Sequence, residues 1–239
     1  MDDSQKDAAA YCSDLVRRRD EDRWLAAQYA KGDDARKLLA LYALQCELRR
    51  VPASVSEPPL GEIRLQWWRD ALADIRDGRP HRKHPVVEEA ARSGLADNAF
   101  ADRFEMAISA AARPLYGEGF SDAEDVAGWT AGAEGVFDAL AVQLLGGGDE
   151  FADAAARAGA AFAMAREGRG LAPSLASETA QAASSCWSET REALRAAPSS
   201  LAPALAHLSL TPLYLARGDR PFPVVKRLKL FSCIAFGRF

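Results

Sequence analysis

Five arginines stand where a cation is least expected, among apolar or small residues. Arg49 and Arg50 close the stretch Arg36 to Val51, and Arg64 lies inside the apolar arc of Leu60 to Arg76. Arg166 and Arg169, at i, i+3, share a face of Arg157 to Leu171. Guanidinium groups in such places hold phosphate or carboxylate through paired N–H donors. Tyr42, on the helical line that leads to Arg49, joins them as a candidate ligand contact. For Arg49 and Arg50 a second reading stays open, that of cations favourably placed at a helix C-terminus with their stems on neighbours. For Arg64 the alternative is a structural ion pair with an acid such as Glu57, because an unpaired buried guanidinium is strongly unfavourable.

Other chemistry is thinly represented. Asp70/Asp74 and Asp149/Asp153 are i, i+4 acidic pairs, but 34 acidic residues on a helical chain produce such pairs freely, and a solvated face accounts for them. His81 and His84 flank a loop, His207 is remote, and Cys12, Cys46, Cys186 and Cys233 form no C-x-x-C pair, so no metal site is expected. No Gly-rich phosphate loop occurs. A net charge of −4 gives no reason to expect nucleic-acid binding.

The elements that carry these residues read as helices. Apolar residues return at three- and four-residue spacing, and breaks fall at Lys31-Gly32-Asp33, Pro52 to Pro59, Gly78 to Pro85, Pro114 to Phe120, Gly146-Gly147-Gly148, Ala197-Pro198 and Gly218 to Pro223. Ser121-Asp122-Ala123-Glu124 has the form of a capping box. From Arg36 to Val51 apolar side chains occupy nearly the whole circumference, which places that helix at the centre of a bundle. Leu38 and Leu39 on it, with Trp67 and Trp68 on the next, are the candidate lining of a cavity. Leu60, Ile63, Trp67, Trp68, Ala71, Leu72 and Ile75 form the apolar face expected of Leu60 to Arg76. No break is long or polar enough for a linker, so residues 1–239 read as one domain. The polar, acidic N-terminus and the lack of a long uncharged apolar run point to a cytoplasmic protein. The tail, residues 222–239, carries Lys226, Arg227, Lys229 and Arg238 and no acid, with Val224, Leu228, Phe231 and Ala235 on one line. Two readings stay open: peripheral attachment to an anionic membrane face, such as the inner face of the cell membrane, or a last helix packed on the bundle.

The run Arg19-Asp20-Glu21-Asp22-Arg23-Trp24-Leu25-Ala26, the run Arg36 to Leu44, and above all Ser56-Glu57-Pro58-Pro59-Leu60-Gly61-Glu62-Ile63-Arg64-Leu65-Gln66-Trp67-Trp68-Arg69 resemble the squalene/phytoene synthase family. Ala131-Gly132-Ala133-Glu134-Gly135-Val136-Phe137 is similar to that family's small-residue helix. The resemblance implies an all-α, single-domain antiparallel bundle of the isoprenoid synthase type around a central cavity. It implies an activity joining two isoprenyl diphosphates head to head, with Mg²⁺ held by two Asp-x-x-x-Asp motifs. Here the first motif falls on Arg49, Arg50 and Ala53, and the second on Gly170 and Ser174. No Asp or Glu lies between Arg49 and Ser56 or between Gly168 and Ser177. The expectation is therefore a non-catalytic member without a cofactor, similar to the branch that contains the mitochondrial complex I assembly factor. Such a member would bind an isoprenoid or lipid, or act with a protein partner in assembly. The alternative is a Mg²⁺-dependent prenyltransferase.

Overall fold

The computed structural model describes residues 3–80, 82–95, 97–217, 223–237 and 239. Among these the chain is helical, with no strand and no helix long and apolar enough to cross a membrane; α2 (Glu21–Ala27) and α11 (Ala202–Leu205) are short helices. His81, Phe222 and Arg238 lie outside the described residues. Two compact units can be distinguished, residues 1–24 with 31–118, and residues 25–30 with 119–239.

The first unit is organised on α3 (Asp33–Arg50), which packs against α1 (Asp3–Arg19), α5 (Pro85–Arg92) and α6 (Ala101–Ala112). Leu38, Leu41, Tyr42, Leu44 and Leu48 are buried, as a helix apolar on all sides requires. Glu89 of α5 is fully buried and tied to α3 by Arg36, whose Nε and Nη2 donate to its two oxygens at 2.6 and 2.9 Å, while Arg92 holds it from its own helix. A buried carboxylate is tolerable here because two guanidiniums share it.

α4 (Pro58–Arg76) begins on Pro58-Pro59, whose missing N–H groups are no loss in a first turn, and stops before Gly78, which takes φ +67°. Its buried face is Gly61, Leu65, Trp68, Ala71 and Leu72, whereas Leu60 and Ile63 are exposed. The face expected from side-chain polarity is thus rotated. The cause is Gly61: a Cβ there would lie 2.2 Å from Leu115 Cδ2, so the helix sits with its bare backbone against the turn Arg113–Tyr116. Arg64 is carried outward by the same rotation. It donates to the Ser54 carbonyl at 3.0 Å, a contact that stands in place of the ion pair with Glu57 that the alternative reading offered.

In the second unit α9 (Asp149–Glu167) is buried over most of its length and packs against α8 (Val136–Leu144), α7 (Ala123–Thr130), α10 (Pro173–Ala196) and α12 (Thr211–Arg217). Between α7 and α8 the chain makes a π-helical turn, Ala131–Gly135. The small-residue motif has a steric reason: a Cβ on Gly135 would stand 2.2 Å from the Ala156 carbonyl oxygen. Gly159 faces it from α9, where a Cβ would meet Asp138 Oδ2 at 2.0 Å. Asp138 and His207, both fully buried, are hydrogen-bonded at 3.0 Å. The cap of α7 lies one residue beyond the expected box: Asp122 accepts from Asp125 N at 2.9 Å, and Asp125 accepts from Ser121 N at 3.0 Å.

Candidate functional site

The last turn of α3 borders two cavities of the first unit. The more basic one, about 270 Å³, is walled by Arg49, Arg50 and Ala53, by Gln45 and Cys46 one turn earlier, and by Arg19 and Asp20 where α1 ends. Arg19, Arg49 and Arg50 are exposed at its rim. Arg49 and Arg50 are solvated cations at a helix C-terminus that also line a cavity. The carboxylate of Asp20 is engaged from behind by Arg23, fully buried, whose Nη1 donates to Oδ2 at 2.9 Å. Arg23 in turn lies over the ring of Tyr42, 5.6 Å from its centroid. The cavity wall thus carries three guanidinium groups, those of Arg19, Arg49 and Arg50, beside the paired Asp20. Arg50 Nη2 is also 3.4 Å from Glu47 Oε2.

These residues do not fit Mg²⁺. The ion needs several hard anionic oxygens; the cavity offers one carboxylate, already ion-paired, among cations. Among the described residues no group of three or more His, Cys, Asp or Glu side chains is placed to hold a metal. Planar guanidinium groups around a solvated hollow instead suit a phosphate or diphosphate, which they can grip without polarising as a metal would.

Arg50 also lines the second cavity, about 300 Å³, together with Arg64, Trp67, Trp68, His84 and Glu47. Trp67 and Trp68 meet edge-on at 4.9 Å, and His84 stands edge-on to both, at 5.7 and 5.2 Å. His84 caps α5, its Nδ1 accepting from Val86 N at 3.2 Å, and burial lowers its pKa, with Arg50 lowering it further and Glu47 opposing. Tyr11 donates to Glu47 Oε1 at 3.0 Å; burial, then Glu47, raises its phenol pKa. The cavity is aromatic on one side and cationic at its mouth.

Of the candidates from sequence, Arg49 and Arg50 share the basic cavity, and Arg50, Arg64, Trp67 and Trp68 share the aromatic one. Leu38 and Tyr42 are fully buried and Leu39 half-buried; none lines either cavity. Arg166 and Arg169 belong to the second unit, and not to one α-helical face: α9 ends at Glu167 and Arg169 lies in the 3₁₀ turn Gly168–Gly170. Arg166 is 3.0 Å from Glu167 Oε1 and 3.8 Å from Glu134 Oε2, over the Phe162 ring at 4.8 Å. Arg169 donates to the Leu215 carbonyl at 2.9 Å. Both hold the fold together here. Sequence reasoning missed Arg19, Asp20, Glu47 and His84 as cavity residues. For the first two a signal existed, since Arg19-Asp20 opens one of the family-like runs. Glu47, the one acid between Leu38 and Leu48, was another such signal.

A search of solved structures matches a dehydrosqualene synthase crystal structure with a TM-score of 0.73 over 97% of this chain and 96% of that one, at 12% identity, a likeness of fold. Curated proteins similar to the chain include NADH dehydrogenase (ubiquinone) complex I assembly factor 6 of mouse (Mus musculus), 29% identical over 147 residues, or 61% of this chain and 44% of that protein. The rat (Rattus norvegicus) protein of the same name is 38% identical over 84 residues, covering 35% of this chain and 25% of its own length. The matched segments thus span less than half of these relatives. The family model for squalene/phytoene synthase matches residues 16–173, well over half of the sequence and both Arg-substituted and small-residue motifs. By that match and by its fold, the chain belongs to the squalene/phytoene synthase family.

Proposed function

We propose that this chain is a non-catalytic member of its family that binds a phosphate-bearing apolar molecule, an isoprenyl diphosphate or an anionic lipid, at the basic cavity, without metal. The observation that carries the reading is the trio Arg19, Arg49 and Arg50 around a hollow whose one carboxylate, Asp20, is already paired with Arg23. Departure of diphosphate from an allylic carbon requires its charge to be drawn off as the bond breaks, and several metal ions ordinarily do this. Arginines hold the ground state as well as the leaving group, so tight binding without turnover is the natural result. The names of the curated relatives support an assembly role, in which the loaded protein presents itself to a protein partner.

The second reading, a Mg²⁺-dependent prenyltransferase that condenses two isoprenyl diphosphates head to head, is supported by family and fold. With Arg49, Arg50 and Ala53 at the first motif, it requires the remaining acids to bind Mg²⁺ in an arrangement other than the family's. Incubation with farnesyl or geranylgeranyl diphosphate and Mg²⁺, following diphosphate release, separates the two: no release is expected, and sustained turnover abolished by chelation would overturn the proposal.

A further inference from the structure

The last described helix, α13 (Pro223–Phe236), has two apolar faces. Leu230 and Cys233, with the stem of Lys226, are buried against the turn Ala206–Leu210. On a helical wheel Leu230 and Ile234 sit among polar residues, which weakens any surface-seeking pattern; in the fold that arc is the packed side. The line Val224, Leu228, Phe231 and Ala235 is left facing water with Phe236 beside it, and Val224, Leu228 and Phe236 are 68%, 63% and 65% exposed. Single exposed leucines need no explanation, but a continuous stripe of large apolar side chains along three turns does.

The surroundings of the stripe are cationic. Arg227 is exposed and Lys229 half-buried on α13 itself, and Arg191 and Arg195 of α10 act on Lys229. Arg195 Nη2 lies 3.3 Å from the Phe239 carbonyl, so the end of α10 is held beside the end of α13. The sequence from Pro223 to Phe239 contains no acid; the nearest in sequence to these α10 cations is the exposed Glu192. Apolar side chains projecting from a helix whose flanks carry cations with long apolar stems match the layering of an anionic lipid surface, acyl chains below and phosphates above. We infer that α13 docks this chain on an anionic lipid surface, its axis in the plane of the interface, with Leu228 and Phe231 inserted and Arg227, Lys229, Arg191 and Arg195 at the headgroups. The packed Leu230 face and the inserted face are opposite sides of one helix, so docking needs no unfolding of the unit. This surface is separate from the basic cavity and its use does not depend on what that cavity holds.

The test is flotation of the full chain with phosphatidylcholine vesicles with and without phosphatidylserine. Binding is expected only with phosphatidylserine, weakened by salt. L228E/F231E is expected to reduce it more than tenfold with the melting temperature retained, since both side chains are exposed, and R227E to reduce it about fivefold or more. Equal flotation with both vesicle types, flotation with neither, or flotation unaffected by L228E/F231E overturns the inference. So does a dimer in light scattering that L228E/F231E disperses, because the stripe would then be covered by a second copy. Loss of flotation in R49A/R50A, with L228E/F231E unaffected, would place the lipid in the basic cavity instead.

Discussion

Replacing Gly159 by Ala adds one methyl group, and the structure dictates where it must go. The new Cβ would lie 2.0 Å from Asp138 Oδ2 and 2.9 Å from Gly135 Cα, when ordinary contact begins near 3.4 Å. α9 cannot retreat cheaply, because Gly135 and the Ala156 carbonyl already touch across the same seam. The carboxylate of Asp138 must swing away and abandon His207 Nε2, now at 3.0 Å, with both groups sealed from water. Leaving a buried hydrogen-bonding group unsatisfied costs about 1–3 kcal/mol, and overpacking a tight interface about 1–3 kcal/mol. The better helix propensity of alanine returns about 1 kcal/mol. A net loss of about 3 kcal/mol corresponds to a fall in melting temperature of about 6–12 °C for a chain of this size. Gly128, exposed in α7 with nothing within 4 Å of its virtual Cβ, is the control: Gly128→Ala keeps only the propensity gain and is expected to melt slightly higher. If Gly159→Ala melts with the wild type in a calorimetric scan, the close approach of α9 to the π-turn is not what the motif is for.

Acid should weaken the first unit through His84. Its folded pKa is held below the usual 6.5, chiefly by burial, so the unfolded chain binds the proton more readily; this contribution is intact above about pH 6.5 and is lost as the pH falls through that value towards the folded pKa. Protonation also converts Nδ1 from acceptor to donor and cancels the cap on Val86. Melting scans between about pH 7.5 and 5.5 should therefore show a steeper decline for the wild type than for His84→Asn, which keeps a capping acceptor; parallel declines would contradict this. Glu89→Ala removes the carboxylate shared by Arg36 and Arg92. It is expected to cost about 2–3 kcal/mol by urea unfolding, at or below the low end for a broken buried pair because both arginines can partly rehydrate, and an unchanged midpoint would refute the role given to it.

What the sequence made legible follows from how much of each interaction is local. α3 could be read directly, because a helix apolar on all sides has one place to go. The family-like block contains Trp67 and Trp68, which stand with Arg50 and Arg64 along one hollow of the first unit. The orientation of α4 is not legible on a helical wheel, which weighs side chains and is blind to the contact a glycine permits; Gly61 under Leu115 turns Leu60, Ile63 and Arg64 outward. Spacing groups Arg166 with Arg169, but the helix ends between them. The Asp138–His207 pair spans 69 positions, and no local pattern joins its members, although an acid inside Val-Phe-Asp-Ala-Leu-Ala-Val was a sign that a partner was needed. Arg19 and Asp20 reach the basic cavity only through the packing of α1 on α3, a long-range fact that periodicity does not encode.

Whether the arginines at the end of α3 hold a diphosphate without metal is read by titration calorimetry with farnesyl diphosphate in the presence of a chelator. Binding is expected to persist without divalent cations and to fall at least tenfold in R49A/R50A, about 1.4 kcal/mol or more. Binding that appears only on adding Mg²⁺, or that is the same in R49A/R50A as in the wild type, would contradict that expectation.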